Sequence, residues 1–344
     1  MQFPGQEKPP IGIAFDTALG NGIDDILALA MLYGLEGKSQ ARLISCSTTK
    51  SSLRSAALGE ALAKFYSGPP PAPGTPAAMF QRPAPPIGMA ESGKMPDDTP
   101  ILKAVLDKKN AEGKPVYTYS IQKLNDTADP VALIRNAFTA QSDGNCLMVL
   151  AGPATTLARM LDYPGNSDLI KRKVKFLAMV TGANLKADLP AAKRLLAEWP
   201  TPIVAADAEI GAAVPFPGTS IEKDFGWTPD HPVVDAYRAF RPMPYDAPAP
   251  TMAAMLYAVH PEGYFKISEP GTFTVQEDGR IKLTPSGDGK HRMLVADAGQ
   301  KEKVLQTYVE MTSAKPAPRP QRFRGPQKKD QAAPAKAPDP VKKQ

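Results

Sequence analysis

Short apolar runs alternate with helix-forming segments along most of this chain. That alternation confines it to a mostly parallel sheet covered by helices. The first run, residues 11–15, reads Ile-Gly-Ile-Ala-Phe, and residues 43–47 supply the next. Residues 147–150, 174–180 and 202–205 are further strand candidates. Helix-like stretches follow or separate them at residues 26–32, 55–66, 155–161 and 190–198. Small or polar residues close each apolar run, as a turn on a ligand-binding sheet edge requires. Residues 271–294 alternate apolar and polar instead, around Asp278-Gly279, which predicts a β-hairpin. The expected fold is therefore α/β: a mostly parallel central sheet flanked by helices, with a small C-terminal β-hairpin and a disordered tail.

Domain limits follow from composition. Residues 8–312 are expected to form one α/β domain. Residues 313–344 are Pro, Ala, Lys and Gln with almost no large apolar side chains, so burial there cannot offset the entropy of ordering. Two Pro-rich interruptions, residues 69–76 and 215–232, are expected to be irregular connections. The formal charge of +6 gathers largely in the tail, at Lys315, Arg319, Arg322, Arg324, Lys328, Lys329, Lys336, Lys342 and Lys343. It is therefore no argument for nucleic-acid binding by the folded domain. No apolar run reaches the roughly 18 residues of a membrane span. Residues 1–10 have no apolar h-region, so a cytoplasmic protein is expected from the sequence as given, and an exported one if a leader was trimmed. Cys46 and Cys146 lie in apolar runs and read as buried thiols.

Chemistry concentrates just after the first strand candidate. Residues 16–25 read Asp-Thr-Ala-Leu-Gly-Asn-Gly-Ile-Asp-Asp and lead into a helix-forming segment. Asp16, Asp24 and Asp25 are thereby brought to the carboxyl end of a strand. The plainer reading is that Asp24 and Asp25 cap the helix and complement its dipole, with Asp16 a turn residue. A pyrophosphate-binding redox enzyme is disfavoured: no G-x-G-x-x-G follows the strand, and two carboxylates would repel the phosphates.

The stretch resembles the aspartate motif of the inosine/uridine-preferring nucleoside hydrolase family, whose bacterial branch reads roughly D-T-D-x-G-N-D-x-D-D. Further segments are similar in family order: residues 150–158, 173–182, 184–192, 198–204 with 209–211, and 252–259. The resemblance implies hydrolysis of a ribonucleoside to ribose and nucleobase at a Ca2+ ion that activates the attacking water. It implies Asp25 as bidentate metal ligand, Asp24 as acceptor of a ribose hydroxyl, and Asp16 as supporting aspartate. It implies the main-chain carbonyl of Ala151 as a further ligand and Asn184 as a ribose-contacting amide. A nucleoside or ribosyl ligand is the expected partner, with a homo-oligomer left open by the family's habit.

This chain departs from the motif where it matters. Ala18 stands where the family places the aspartate that is both metal ligand and base. Gly22 and Gly182 replace a third aspartate and a glutamate, and Thr251 falls where the last metal-binding aspartate belongs. Calcium prefers six to eight oxygen ligands. Weak or absent Ca2+ binding is therefore expected, with Asp246 either a substitute ligand or a plain loop residue. The leading expectation is a nucleoside hydrolase-like N-glycosyl hydrolase impaired by Ala18 and Thr251. The alternative is an inactive relative that binds a ribosyl ligand or acts as a scaffold. His231, His260 and His291 show no metal-ligand spacing and read as surface or turn residues. Trp199 and Trp227 read as packing. Lys50 reads as a solvated lysine, or else as a positive charge in the pocket.

Overall fold

Strand β1 (Ile11–Thr17) is buried beyond its first residue because strands flank it on both edges and helices cover both faces. The computed structural model describes residues 10–68, 86–91 and 98–316. The other strands are β2 (Ala41–Thr48), β3 (Ile87–Met89), β4 (Cys146–Leu150), β5 (Val174–Val180) and β6 (Ile203–Ala206). After these come β7 (Phe265–Ile267), β8 (Gly271–Val275), β9 (Ile281–Pro285) and β10 (His291–Ala296). They form one ten-stranded sheet ordered β3-β2-β1-β4-β5-β6-β10-β8-β9, with β7 paired to β10. Every pairing from β3 to β6 is parallel. The order reverses at β1, between β2 and β4. An open α/β sheet leaves a crevice at the carboxyl ends of its strands at such a reversal.

The expected hairpin forms, with Gln276–Arg280 closing β8 onto β9. It is no separate appendage. Strand β10 runs parallel to β6 and antiparallel to β8, which joins the hairpin to the central sheet. The connection expected at residues 215–232 contains a short helix, Gly218–Lys223. The proline-rich residues 69–76 and the tail from residue 317 lie outside the described residues. Among the described residues, no helix is long and apolar enough to cross a membrane.

Helix α1 (Ile23–Gly37) is buried over most of its length. Helices Pro250–Val259 and Lys301–Thr312 pack against it. A Cβ on Gly34 would stand 2.0 Å from the carbonyl oxygen of Met311, so only glycine lets these backbones meet. Gly59 is the useful contrast, since a Cβ there would find ordinary contacts at 3.5 Å. Gly34→Ala should therefore destabilise by roughly 1–3 kcal/mol, overpacking outweighing the gain in helix propensity. Gly59→Ala should be neutral or stabilising. Urea midpoints of the two variants check this, and equal midpoints would refute the close approach.

Both cysteines are free and buried, and burial pushes Cys46 up to about 12 and Cys146 up to about 11. The histidine expectation needs correcting. His231 is buried inside a ring of Phe65, Tyr66, Phe225 and Trp227, with centroids 4.7 to 6.0 Å away. His291 is also buried, stacked on Phe273. Each also supplies a polar tip, since His231 Nδ1 accepts from Val233 N–H and His291 Nδ1 from Phe273 N–H. Lys50 is fully buried, so it is not a solvated lysine.

Candidate functional site

Parallel pairing sets the end of β1 beside the ends of β2 and β4. Asp16 stands level with Ser47 on one side and Leu150 on the other. The main chain draws β4 tightly inward, with Ala151 and Gly152 N–H both donating to Asp16 O, at 2.8 and 3.3 Å. A Cβ on Gly152 would lie 2.7 Å from the Thr17 carbonyl carbon, so this approach requires glycine. Asn184 ties in the next strand. Its amide donates to Gly152 O at 3.2 Å and to Val180 O at 2.7 Å. Both N–H directions of this amide are thus spent on main chain.

The carboxylates are occupied by the protein's own donors. Asp16 is fully buried and accepts from Ser47 Oγ at 2.6 Å and from the hydroxyls of Thr49 and Thr156. Burial pushes it up to about 7, against these hydrogen bonds. Asp25 accepts from Thr17 Oγ1 at 2.5 Å, from Thr251 Oγ1 at 3.0 Å and from the Ala18 N–H. Burial raises it too.

Asp24 reaches across to another helix. Its oxygens accept from the N–H groups of Thr251 at 2.6 Å and Met252 at 3.3 Å. Helix Pro250–Val259 begins at Ala249, which offers no capping side chain. Asp24, more than two hundred residues earlier, caps it instead. Burial first, and then the neighbouring Asp25 charge, push Asp24 up to about 7. Asp24→Ala should cost about 0.5–2 kcal/mol through loss of this cap. Amide exchange checks the location: Thr251 and Met252 should lose protection first, and unchanged protection there would overturn the assignment.

Asp16, Asp24, Asp25, Ala151, Asn184 and Thr251 therefore form one hydrogen-bonded assembly drawn from distant segments. Asp246 has a different occupation. It is exposed, and its carboxylate accepts from Gly218 N–H at 2.8 Å, at the start of helix Gly218–Lys223. The hydroxyls of Thr17, Ser47, Thr49 and Thr156 were not singled out from sequence. The polar run at the end of β2 is a local sign of Ser47 and Thr49 alone.

The donor set does not fit calcium. Ala18 offers no side-chain oxygen, and Thr251 offers a hydroxyl that donates to Asp25. Each oxygen of Asp16, Asp24 and Asp25 already takes at least one hydrogen bond. Among the described residues, no group of three or more His, Cys, Asp or Glu could hold a metal ion. Space remains beside Gly22 and Gly182. Apart from the residues next to each in the chain, a Cβ on Gly22 or on Gly182 would meet no described atom within 4 Å.

No family model matches the chain, and no curated protein matches its sequence. Its structure does match solved ones. A plant nucleoside hydrolase, PpNRh1, aligns with TM-score 0.61 and 19% identity over 89% of this chain and all of its own. The inosine-uridine preferring nucleoside hydrolase of Bacillus anthracis aligns with TM-score 0.62 and 14% identity, over 88% of this chain and 99% of its own. The type III effector protein XopQ, solved with adenosine diphosphate ribose, aligns with TM-score 0.59 and 13% identity, over 90% of this chain and 95% of its own. The chain carries the nucleoside hydrolase fold.

Proposed function

We propose that this protein binds a ribosyl ligand at the Asp24–Asp25 end of α1 and does not carry out calcium-dependent nucleoside hydrolysis. The observation that supports this most is the saturation of Asp25. A bidentate metal ligand needs both oxygens directed at the ion, whereas here two threonine hydroxyls take them. Ala18 also removes the family's water-activating base, a role worth roughly 10²–10⁴-fold in rate. The carboxylates nonetheless retain lone pairs for a ligand hydroxyl, since each oxygen can accept more than one hydrogen bond. Asp24 and Asp25 are half-buried and so in reach of a ligand. A relative of this fold solved with adenosine diphosphate ribose supports the ribosyl class.

Calorimetric titration with D-ribose and adenosine diphosphate ribose tests binding. Base release from inosine and uridine, with and without calcium, tests hydrolysis. Saturable binding without base release is the expected outcome. Brisk calcium-dependent release from either nucleoside would restore the hydrolase reading, with a base other than residue 18.

A further inference from the structure

The turn between β8 and β9 reaches a strand with which neither of them pairs. Gly279 sits in that turn with φ 84°, and its carbonyl accepts from Gly182 N–H at 3.0 Å. A Cβ on Gly279 would stand 2.0 Å from Gly182 O and 2.7 Å from Lys186 N. Gly182 lies just beyond the carboxyl end of β5 and is itself held at φ 108°, ψ −132°, where only glycine rests without strain. Two glycines distant in the chain thus meet main chain to main chain at the ligand-binding edge of the sheet.

Gly182 opens helix Ala183–Lys186, which is a single turn with no capping side chain. One turn is too short to hold itself. Its place is set by what pins it: the hairpin turn at Gly182, and the Asn184 amide on Gly152 O and Val180 O. Both Asn184 bonds leave from Nδ2, so Oδ1 remains for a ligand hydroxyl. The arm behind the turn is firm. β8 and β9 pair along their whole length. Phe273 is buried, and Val275, Ile281 and Leu283 pack on the apolar cluster that includes Leu195 of helix Leu189–Glu198.

We propose that Gly279 is a positioning residue for the ligand crevice: by docking on Gly182 it fixes the short helix that carries Asn184, and ligand affinity depends on that docking. This rests on the ribosyl-binding reading above and adds the distant segment that shapes the site. Docking and binding are then linked, and each strengthens the other by the same factor.

Gly279→Asn in the whole chain separates the hairpin from its docking. Asparagine tolerates the left-handed backbone of the turn, so the hairpin is kept, but its Cβ meets Gly182 O. Gly287→Ala is the control, since a Cβ there meets nothing within 4 Å beyond its chain neighbours. Well below the melting temperature, Gly279→Asn should bind D-ribose about tenfold more weakly, an ordinary size for such coupling. Amide exchange at Gly182 should quicken in that variant, and Gly287→Ala should change neither quantity. Saturating D-ribose should slow exchange at Gly182 in the wild type by a like factor, a readout that needs no variant to fold. Quickened exchange in Gly279→Asn with unchanged D-ribose affinity would show a merely structural contact and overturn the proposal, leaving the ribosyl reading intact. Exchange at Gly182 that is indifferent to bound D-ribose would overturn it equally. Absence of D-ribose binding by the wild type would overturn both.

Discussion

The free energy of unfolding should fall as the pH rises from about 4 to about 7, and Asp16→Asn should remove the largest single part of that fall. Asp16 has an ordinary value of 3.8 and is pushed up to about 7 by burial in the native state. Between those values the native chain keeps a proton that the unfolded chain releases. Stability then decreases by about 1.4 kcal/mol per pH unit from this group, about 4 kcal/mol across the window. A raised value thus contributes stability that is complete below the unfolded pKa and gone above the folded one. Asp24 and Asp25 act in the same direction. Their partial exposure reduces the effect by solvent screening.

His231 opposes them. Burial lowers it from 6.5 to about 3, so the unfolded chain binds the proton here. Its stability contribution is complete above about 6.5 and is lost on acidification towards about 3. His231→Leu should consequently steepen the alkaline fall, and Asp16→Asn should flatten it. Asparagine suits the site, because the Ser47 and Thr49 hydroxyls can turn to accept from its amide. Urea unfolding at several pH values compares slopes, so a constant cost of either substitution drops out. Identical slopes for wild type and Asp16→Asn would show that Asp16 is ionised throughout.

What could be read from sequence tracks how local each signal is. β1, its turn and α1 were legible because an apolar run, a Gly/Asn turn and a helix-forming run lie consecutively. β5 was found at residues 174–180, as expected, for the same reason. β3 was missed, since three residues carry no period. The place of β10 was missed too. Its alternation suited a hairpin, and its parallel partner β6 lies far back in the chain. His231 was misread because its neighbours are Phe65, Tyr66, Phe225 and Trp227, two of them from a distant helix. The aspartates of the site were visible as residue types in a turn. Their present use was not, because a cap given by Asp24 to residue 251 and hydroxyls given by Thr17 and Thr251 to Asp25 arise only from tertiary contact.

Ala18→Asp and Thr251→Asp together should create a calcium site that neither substitution creates alone. Thr251 Oγ1 lies 3.0 Å from Asp25 Oδ1, so a carboxylate at 251 would face Asp25 directly. Ala18 is buried in the same turn, where its N–H already donates to Asp25. Each added aspartate removes nothing from calcium and supplies an anionic oxygen, the ligand the ion prefers. Without the ion, the same additions crowd like charges beside Asp16, Asp24 and Asp25. They also remove the Thr251 hydroxyl that satisfies Asp25. The double variant should therefore melt well below wild type in chelator and recover in millimolar calcium. At a concentration 1,000 times the dissociation constant, binding would restore about 4 kcal/mol. The single variants should lose stability in chelator and recover much less of it, because both side chains would serve one ion and their effects cannot add. Melting curves with chelator and with calcium, for wild type, both singles and the double, read this out. Wild type should be indifferent to calcium. A wild-type protein stabilised as strongly as the double variant would mean that other oxygens already complete the site, and that the threonine hydroxyls on Asp25 give way to the ion.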